Sequence, residues 1–234
     1  MKLTINPYDE DRCRSLVESK FLSNIRKKFG TSCYLLYDKV AVDRDLRIRK
    51  TLNPREASAI GIVPCGIFYY IDYLNPDDNT IVDVGCGANL FKDVVPNIYG
   101  IDPNGTLCDE NDSFDIEGNF ARNHYQEFSA AMAIDSLHFT SLLNFSSQVT
   151  LFASMITPGG RGLVTFNAAR MVERTPKDEL LRLFGTKQPY PLQVENYFDE
   201  EIKKLDMNFL VVDNFVRIAY NECVDGNVRL VFEV

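Results

Sequence analysis

No C-x-x-C pair and no Cys/His cluster occurs in this chain of 234 residues: its six cysteines, Cys13, Cys33, Cys65, Cys86, Cys108 and Cys223, are scattered, and it has only two histidines, His124 and His138. A structural zinc site is therefore not expected, no metal is assigned, and reduced thiols of a cytoplasmic protein are the expectation. No stretch approaches the roughly 18 to 20 unbroken apolar residues that a membrane span needs. The N-terminal "MKLTINPYDEDRCR" carries acidic residues where a secretory signal has its apolar core, so export is not expected. Internal repeats, low-complexity tracts and Gly/Ser linkers are also lacking, which argues for one α/β core with at most a small appended segment.

What is present is a soluble composition, 45% hydrophobic and 25% charged, with a net charge of −8. The charge is uneven. Residues 1–60 hold thirteen Lys or Arg against eight Asp or Glu, so a basic front end precedes an acidic body. Its densest run, "RDLRIRK" at 44–50, either is solvated beside that body or meets an anionic substrate such as a phosphate.

Hydrophobic spacing orders the rest. "SLVESKFLSNIRKKF" puts Leu16, Phe21, Leu22, Ile25 and Phe29 on one helical face, and "NPREASAI" reads as a short helix with Asn53 as N-cap and Pro54 at its first position. Together residues 1–65 read as a mainly helical cap, and residues 66–234 as the principal domain. "CGIFYYIDYL" reads as a helix whose aromatics, Phe68, Tyr69, Tyr70 and Tyr73, go to the core rather than to a substrate wall. Then strands and helices alternate: a strand at 81–84, a helix over 88–95, a strand "IYGID", a strand at 129–135, and a helix "SLLNFSSQVTLFASMI" with Leu142, Leu143, Phe145, Val149, Phe152 and Met155 inward. "PGG" closes that helix and "RGLVTFN" is the next strand. Such alternation implies a parallel sheet covered on both faces. Helices near "PKDELLRLF" and "ENYFDEEIKKL" then lead to two long strands joined by a turn at Asp225-Gly226, an antiparallel hairpin.

The stretch "TIVDVGCGANLFKDV" at 80–94 carries the chemistry. Its two glycines fall in a strand-to-helix turn, where a ligand can approach the backbone closely. A dinucleotide fingerprint G-x-G-x-x-G would need glycine where Leu90 stands, and the G-x-x-x-x-G-K-[ST] phosphate loop is absent.

"VDVGCGAN", then "IYGIDP" with Asp102 nineteen residues after Asp83, then "AMAIDSLHF", then "ITPGGRGLVTFN" and a closing hairpin resemble, in that order, a class I S-adenosylmethionine (SAM) dependent methyltransferase over residues 66–234. The resemblance implies a Rossmann-like parallel sheet with helices on both faces and a C-terminal antiparallel hairpin, SAM as cofactor and S-adenosylhomocysteine as product. It implies that Gly85 and Gly87, with Cys86 and Asn89 completing the loop, line the methionine and ribose part of the cofactor. Asp83 would support that loop or reach the cofactor's amino group through water. Asp102, followed by Pro103, would accept both ribose hydroxyls. Asp115 and Ile116, in "FDIEG", would hold the adenine. Ile134 and Asp135, ending the fourth strand, would face the sulfonium. Only twelve residues separate Asp102 from Asp115, so the helix usual between those strands is expected to be a loop. The fourth strand ends in "IDSLHF" rather than in the N/D-P-P-Y motif of methyltransferases acting on DNA bases, and Asn6-Pro7-Tyr8 is a chance partial match.

His138, three residues after Asp135, is the candidate general base, with Asp135 or a backbone carbonyl orienting the nucleophile as the alternative. His124 reads as a surface or helix residue, Cys86 as a small semi-apolar loop residue, and Tyr190 and Tyr197 as weaker substrate-side candidates. Three functions stay open: a methyltransferase acting on a small-molecule acceptor, one acting on RNA or another nucleic acid through the basic segment 44–50, and a non-enzymatic binding or immunity-type module on the same fold.

Overall fold

The computed structural model describes residues 70–87, 89, 91–92, 95–103, 108–112, 119–137, 141–218 and 224–234. The expected cap at 1–65, its basic segment 44–50, the expectations for Phe68 and Tyr69, and the candidates Asp115, Ile116 and His138 lie outside them.

β1 (Ile81–Val84) is buried along its whole length, Asp83 included, as a strand covered on both faces is. It lies between β2 (Ile98–Ile101) and β3 (Phe128–Ile134) and runs parallel to both. β3 runs parallel to β4 (Ile156–Asn167) in turn. The last two strands, β5 (Asn208–Ile218) and β6 (Val224–Glu233), form the hairpin, and β6 inserts between β4 and β5, antiparallel to each. The order is β2-β1-β3-β4-β6-β5, with β6 alone reversed. This is the Rossmann-like sheet with a C-terminal antiparallel hairpin expected of a class I methyltransferase fold.

Apolar layers cover both faces. On one lie α1 (Asn119–Asn123), α2 (Phe145–Ala153), α3 (Ala168–Arg174), α4 (Lys177–Phe184) and α5 (Pro191–Lys203). Phe145, Phe166 and Phe198 meet there with ring centroids 5.2–5.3 Å apart. Burial of each such ring contributes roughly 1.5–3 kcal/mol. The opposite face is covered by Tyr70, Ile71 and Leu74 over Ile81, Ala130, Met132, Leu163 and Val231. Tyr70 is a core residue, as the helical spacing predicted.

Local stops follow side-chain chemistry. The Asn167 side chain accepts the Arg170 N–H at 3.0 Å and opens α3, a helix that the sequence pattern does not announce. Gly185, at φ 71°, closes α4. Pro191 begins α5, where its missing N–H has no intrahelical acceptor to lose.

Four expectations are corrected. The described residues of 88–95 make successive turns rather than a helix, because Gly87 and Asn89 both adopt left-handed backbone (φ 55° and 51°) that a right-handed helix cannot contain. The helix beginning at Ser141 is a 3-10 turn, Leu142–Asn144, followed by α2, which leaves Leu143 42% exposed. "PGG" is part of β4, which starts at Ile156, since Gly160 lies so close to the Ser129 carbonyl (2.5 Å from an added Cβ) that only glycine lets the strands meet. Asp225-Gly226 is not the hairpin turn: both residues are in β6, opposite Arg217 and Val216.

Candidate functional site

The parallel strands end on a common edge, and pairing fixes what stands there. Val84 pairs with Ile101, so Gly85 and Asp102 follow side by side. Ile134 pairs with Thr165, and Thr165 with Arg229. One row across the sheet thus carries Asp102, Gly85, Ile134, Thr165 and Arg229, bringing together motifs more than a hundred residues apart in the chain.

The loop after β1 is tied to β2. The N–H groups of Gly85 and Cys86 both donate to the Ile101 carbonyl, at 2.7 and 3.1 Å, and the Gly87 N–H donates to Asp102 Oδ2 at 3.0 Å. The two glycines serve different ends. An added Cβ at Gly85 (φ 73°) would run into the Ser136 side chain, whose hydroxyl donates to the Val84 carbonyl, so Gly85 lets the end of β3 close on the loop. An added Cβ at Gly87 would meet nothing within 4 Å among the described residues. Gly87 is exposed and its face is open to a ligand. A third glycine, Gly100, lies beneath: a Cβ there would come within 2.7 Å of Asn89 Oδ1 and 2.8 Å of Cys86 Sγ. The loop therefore sits directly on the β2 backbone.

Residues 108–112 fold back along β2; the rest of the stretch expected to be a loop, 104–107 and 113–114, lies outside the described residues. Glu110 bridges Ile101, its carbonyl accepting the Asp102 N–H at 3.2 Å. Asp109 accepts the Gly100 N–H (2.8 Å) and Lys92 Nζ (2.6 Å). Burial alone would raise its pKa, but those donors hold it below the usual carboxylate range. Pro103 is exposed beside Asp102.

Asp83 is 2% exposed, and its Oδ2 has no hydrogen-bond partner among the described residues. Burial first, and the nearby Asp102 charge second, push its pKa up to about 7. The Cys86 thiol is pushed up to about 12 by burial and then by Asp83, Asp102, Cys108 and Asp109. It is therefore no thiolate nucleophile at neutral pH, in keeping with a space-filling role.

On the β3–β4 side, Asp135 stands just after β3 in left-handed backbone (φ 53°), its N–H on the Thr165 carbonyl at 2.9 Å and its Oδ1 3.4 Å from the Thr165 hydroxyl. Burial raises its pKa, opposed by Arg170, Arg229 and the Thr165 hydroxyl. Asp135 borders a cleft of about 30 Å³ with Phe166, Asn167, Arg170 and Arg174. Arg229, 6% exposed, lies over the Tyr70 ring at 5.4 Å from its centroid. Sequence reasoning missed both Arg170 and Arg229; the signal for Arg229 was a cation in the otherwise apolar "VRLVF" at 228–232. Of the tyrosines, Tyr190 is exposed, whereas the Tyr197 hydroxyl donates to the Leu142 carbonyl at 2.9 Å among core aromatics.

No helix among the described residues is long and apolar enough to cross a membrane. No protein-family model matches the chain, and no curated protein does. Solved structures do. A SAM-dependent methyltransferase from Anabaena variabilis ATCC 29413 is similar over 100% of this chain and 98% of its own, at 11% identity and a TM-score of 0.44. The N-methyltransferase NodS from Bradyrhizobium japonicum WM9 is similar over 70% of this chain and 92% of its own, at 14% and 0.41. TehB from Haemophilus influenzae is similar over 70% and 60%, at 14% and 0.41. At these identities and scores the function of this chain is argued from its own residues.

Proposed function

We propose that this chain is a SAM-dependent methyltransferase that acts on a small-molecule acceptor. One observation carries the reading: an open, left-handed Gly87 at the end of β1 is hydrogen-bonded to a carboxylate, Asp102, at the end of the neighbouring strand. The residues fit the cofactor. Gly87 leaves room for a ligand against the backbone, Asp102 offers acceptors for paired ribose hydroxyls, and the unpartnered Oδ2 of Asp83 is an acceptor in wait of a donor or a bridging water.

Bound there, SAM supplies an electrophilic methyl group on a sulfonium. The protein's part is to position and desolvate the acceptor. Ile134 forms an apolar wall at the centre of the row, and Asp135, half-buried and close to the charges of Arg170 and Arg229, can accept a hydrogen bond from the acceptor's N–H or O–H group. We assign His138 as the general base for an acceptor hydroxyl or protonated amine. On that assignment His138→Ala lowers turnover by about 10² to 10⁴ with SAM affinity unchanged.

Calorimetry with SAM and S-adenosylhomocysteine tests the reading: both should bind in the micromolar range. Folded protein that binds neither overturns the enzyme in favour of a non-enzymatic module.

A further inference from the structure

At the opposite edge of the sheet, where β1, β3 and β4 begin, Thr80, Ser129 and Thr157 border a cavity of about 510 Å³ together with Tyr99, Glu110, His124, Glu127 and Phe128. Nothing in the methyl-transfer reading uses it. One carboxylate oxygen each of Glu110 and Asp112 and one ring nitrogen of His124 lie within 4.8 Å of one another there. Adjacent ligands of one ion at ~2.1 Å stand ~3–3.5 Å apart, so a bound cation would draw these three donors closer together than the bound of 4.8 Å requires.

Two of the three are also held from behind. Glu127 Oε2 lies 2.6 Å from His124 Nδ1, which leaves Nε2 as the nitrogen for an ion, the carboxylate–imidazole arrangement that orients a ligating histidine. The Tyr99 hydroxyl donates to Glu110 Oε2 at 3.0 Å, fixing that carboxylate from outside the cluster. The imidazole itself stacks on Phe120 and Phe128, with centroids at 4.4 and 5.6 Å, and is 18% exposed. A plain surface ion pair needs neither an immobilised ring nor a second and third carboxylate around it.

We propose that Glu110, Asp112 and His124 form a divalent transition-metal site opening onto this cavity. An O,O,N donor set selects Zn²⁺ or Mn²⁺ over Mg²⁺ or Ca²⁺, which prefer oxygen alone. The open cavity leaves the remaining coordination positions to water or a small anion. The ion clamps residues 110–112 to the turn after α1, and the carbonyl of the same Glu110 holds the Asp102 N–H.

The test is calorimetric titration of chelator-treated protein with ZnCl₂, MnCl₂ and MgCl₂ in separate runs, with Co²⁺ absorption to report coordination. The expected result is one equivalent of Zn²⁺ or Mn²⁺ bound, and no magnesium heat at the same concentrations. Because His124 also packs against two phenylalanines, the variants are made at the carboxylates. Glu110→Gln with Asp112→Asn should abolish binding while the circular dichroism spectrum stays unchanged. Glu127→Gln should weaken it by roughly 10- to 100-fold. Absence of zinc and manganese binding, equal binding of magnesium, or binding that survives the double substitution would each overturn the site.

Discussion

The Gly87 N–H points at Asp102 Oδ2, 3.0 Å away, so the loop after β1 and the carboxylate after β2 are one hydrogen-bonded unit although fifteen residues separate them. A ligand that uses Asp102 meets an acceptor already oriented from the loop side. Hydrogen bonds to charged groups are worth about 1.5–3 kcal/mol each.

Asp102→Ala should therefore weaken SAM by roughly 10- to 150-fold, the same energy read as a binding constant. Calorimetry reads it directly. A loss below about threefold would place the ribose elsewhere.

The two loop glycines should separate stability from binding. Gly87→Ala meets no atom of the described residues and should cost about 1–2 kcal/mol, the left-handed backbone penalty, but it narrows the ligand face and should reduce SAM affinity. Gly85→Ala adds overlap with Ser136 to the same backbone cost, so urea denaturation should show a larger loss, above about 2 kcal/mol. Equal losses would mean that the Ser136 contact gives way easily.

Asp83 gives stability a pH dependence of definite sign. Its folded pKa, about 7, stands above its ordinary value of 3.8. The contribution is therefore fully present below 3.8 and is lost as pH rises toward 7. Wild-type protein should lose stability across that window by a few kcal/mol, at about 1.4 kcal/mol for each pH unit crossed. Asp83→Asn should flatten the profile. A variant with the wild-type slope would assign the dependence to another group.

Arg229 is buried over Tyr70 and opposes the rise in the Asp135 pKa. Replacing it with Met keeps most of the volume but removes that compensation. Arg229→Met should cost about 1 kcal/mol, because it removes a cation that offsets the charge of the half-buried Asp135. The loss should shrink as pH falls, because protonation of Asp135, whose pKa is raised by burial, relieves the charge. Denaturation followed across a pH series checks it; a pH-independent loss would point to ring packing alone.

The edge that carries the proposed cofactor site was legible because its signals are local: an apolar run, two glycines and an acid at the end of the next strand. The hairpin and both parallel neighbours of β1 were legible for the same reason. The turn chain at 88–95 was not, since Asn89 at positive φ looks like an ordinary helix residue in sequence. Nor was the extent of β4, because a Pro-Gly-Gly that normally marks a turn is here held extended by a neighbouring strand. The cluster of Glu110, Asp112 and His124 was invisible for a different reason. Its members become neighbours only when residues 108–112 fold back along β2, and no spacing rule encodes that return.

Because β6 lies between β4 and β5, the strand made last of the six is not peripheral. During vectorial synthesis β4 and β5 can form no ladder with each other, and β5 has no partner at all until Val224–Glu233 has been made. Pairing of β6 with Arg161–Asn167 joins residues 60 to 72 apart in the chain, a high-contact-order pairing, and until β6 is made the apolar margin of β4 stays uncovered on that side. Chaperone dependence of newly made chains, if it is found, should map to that exposed margin rather than to the glycine loop.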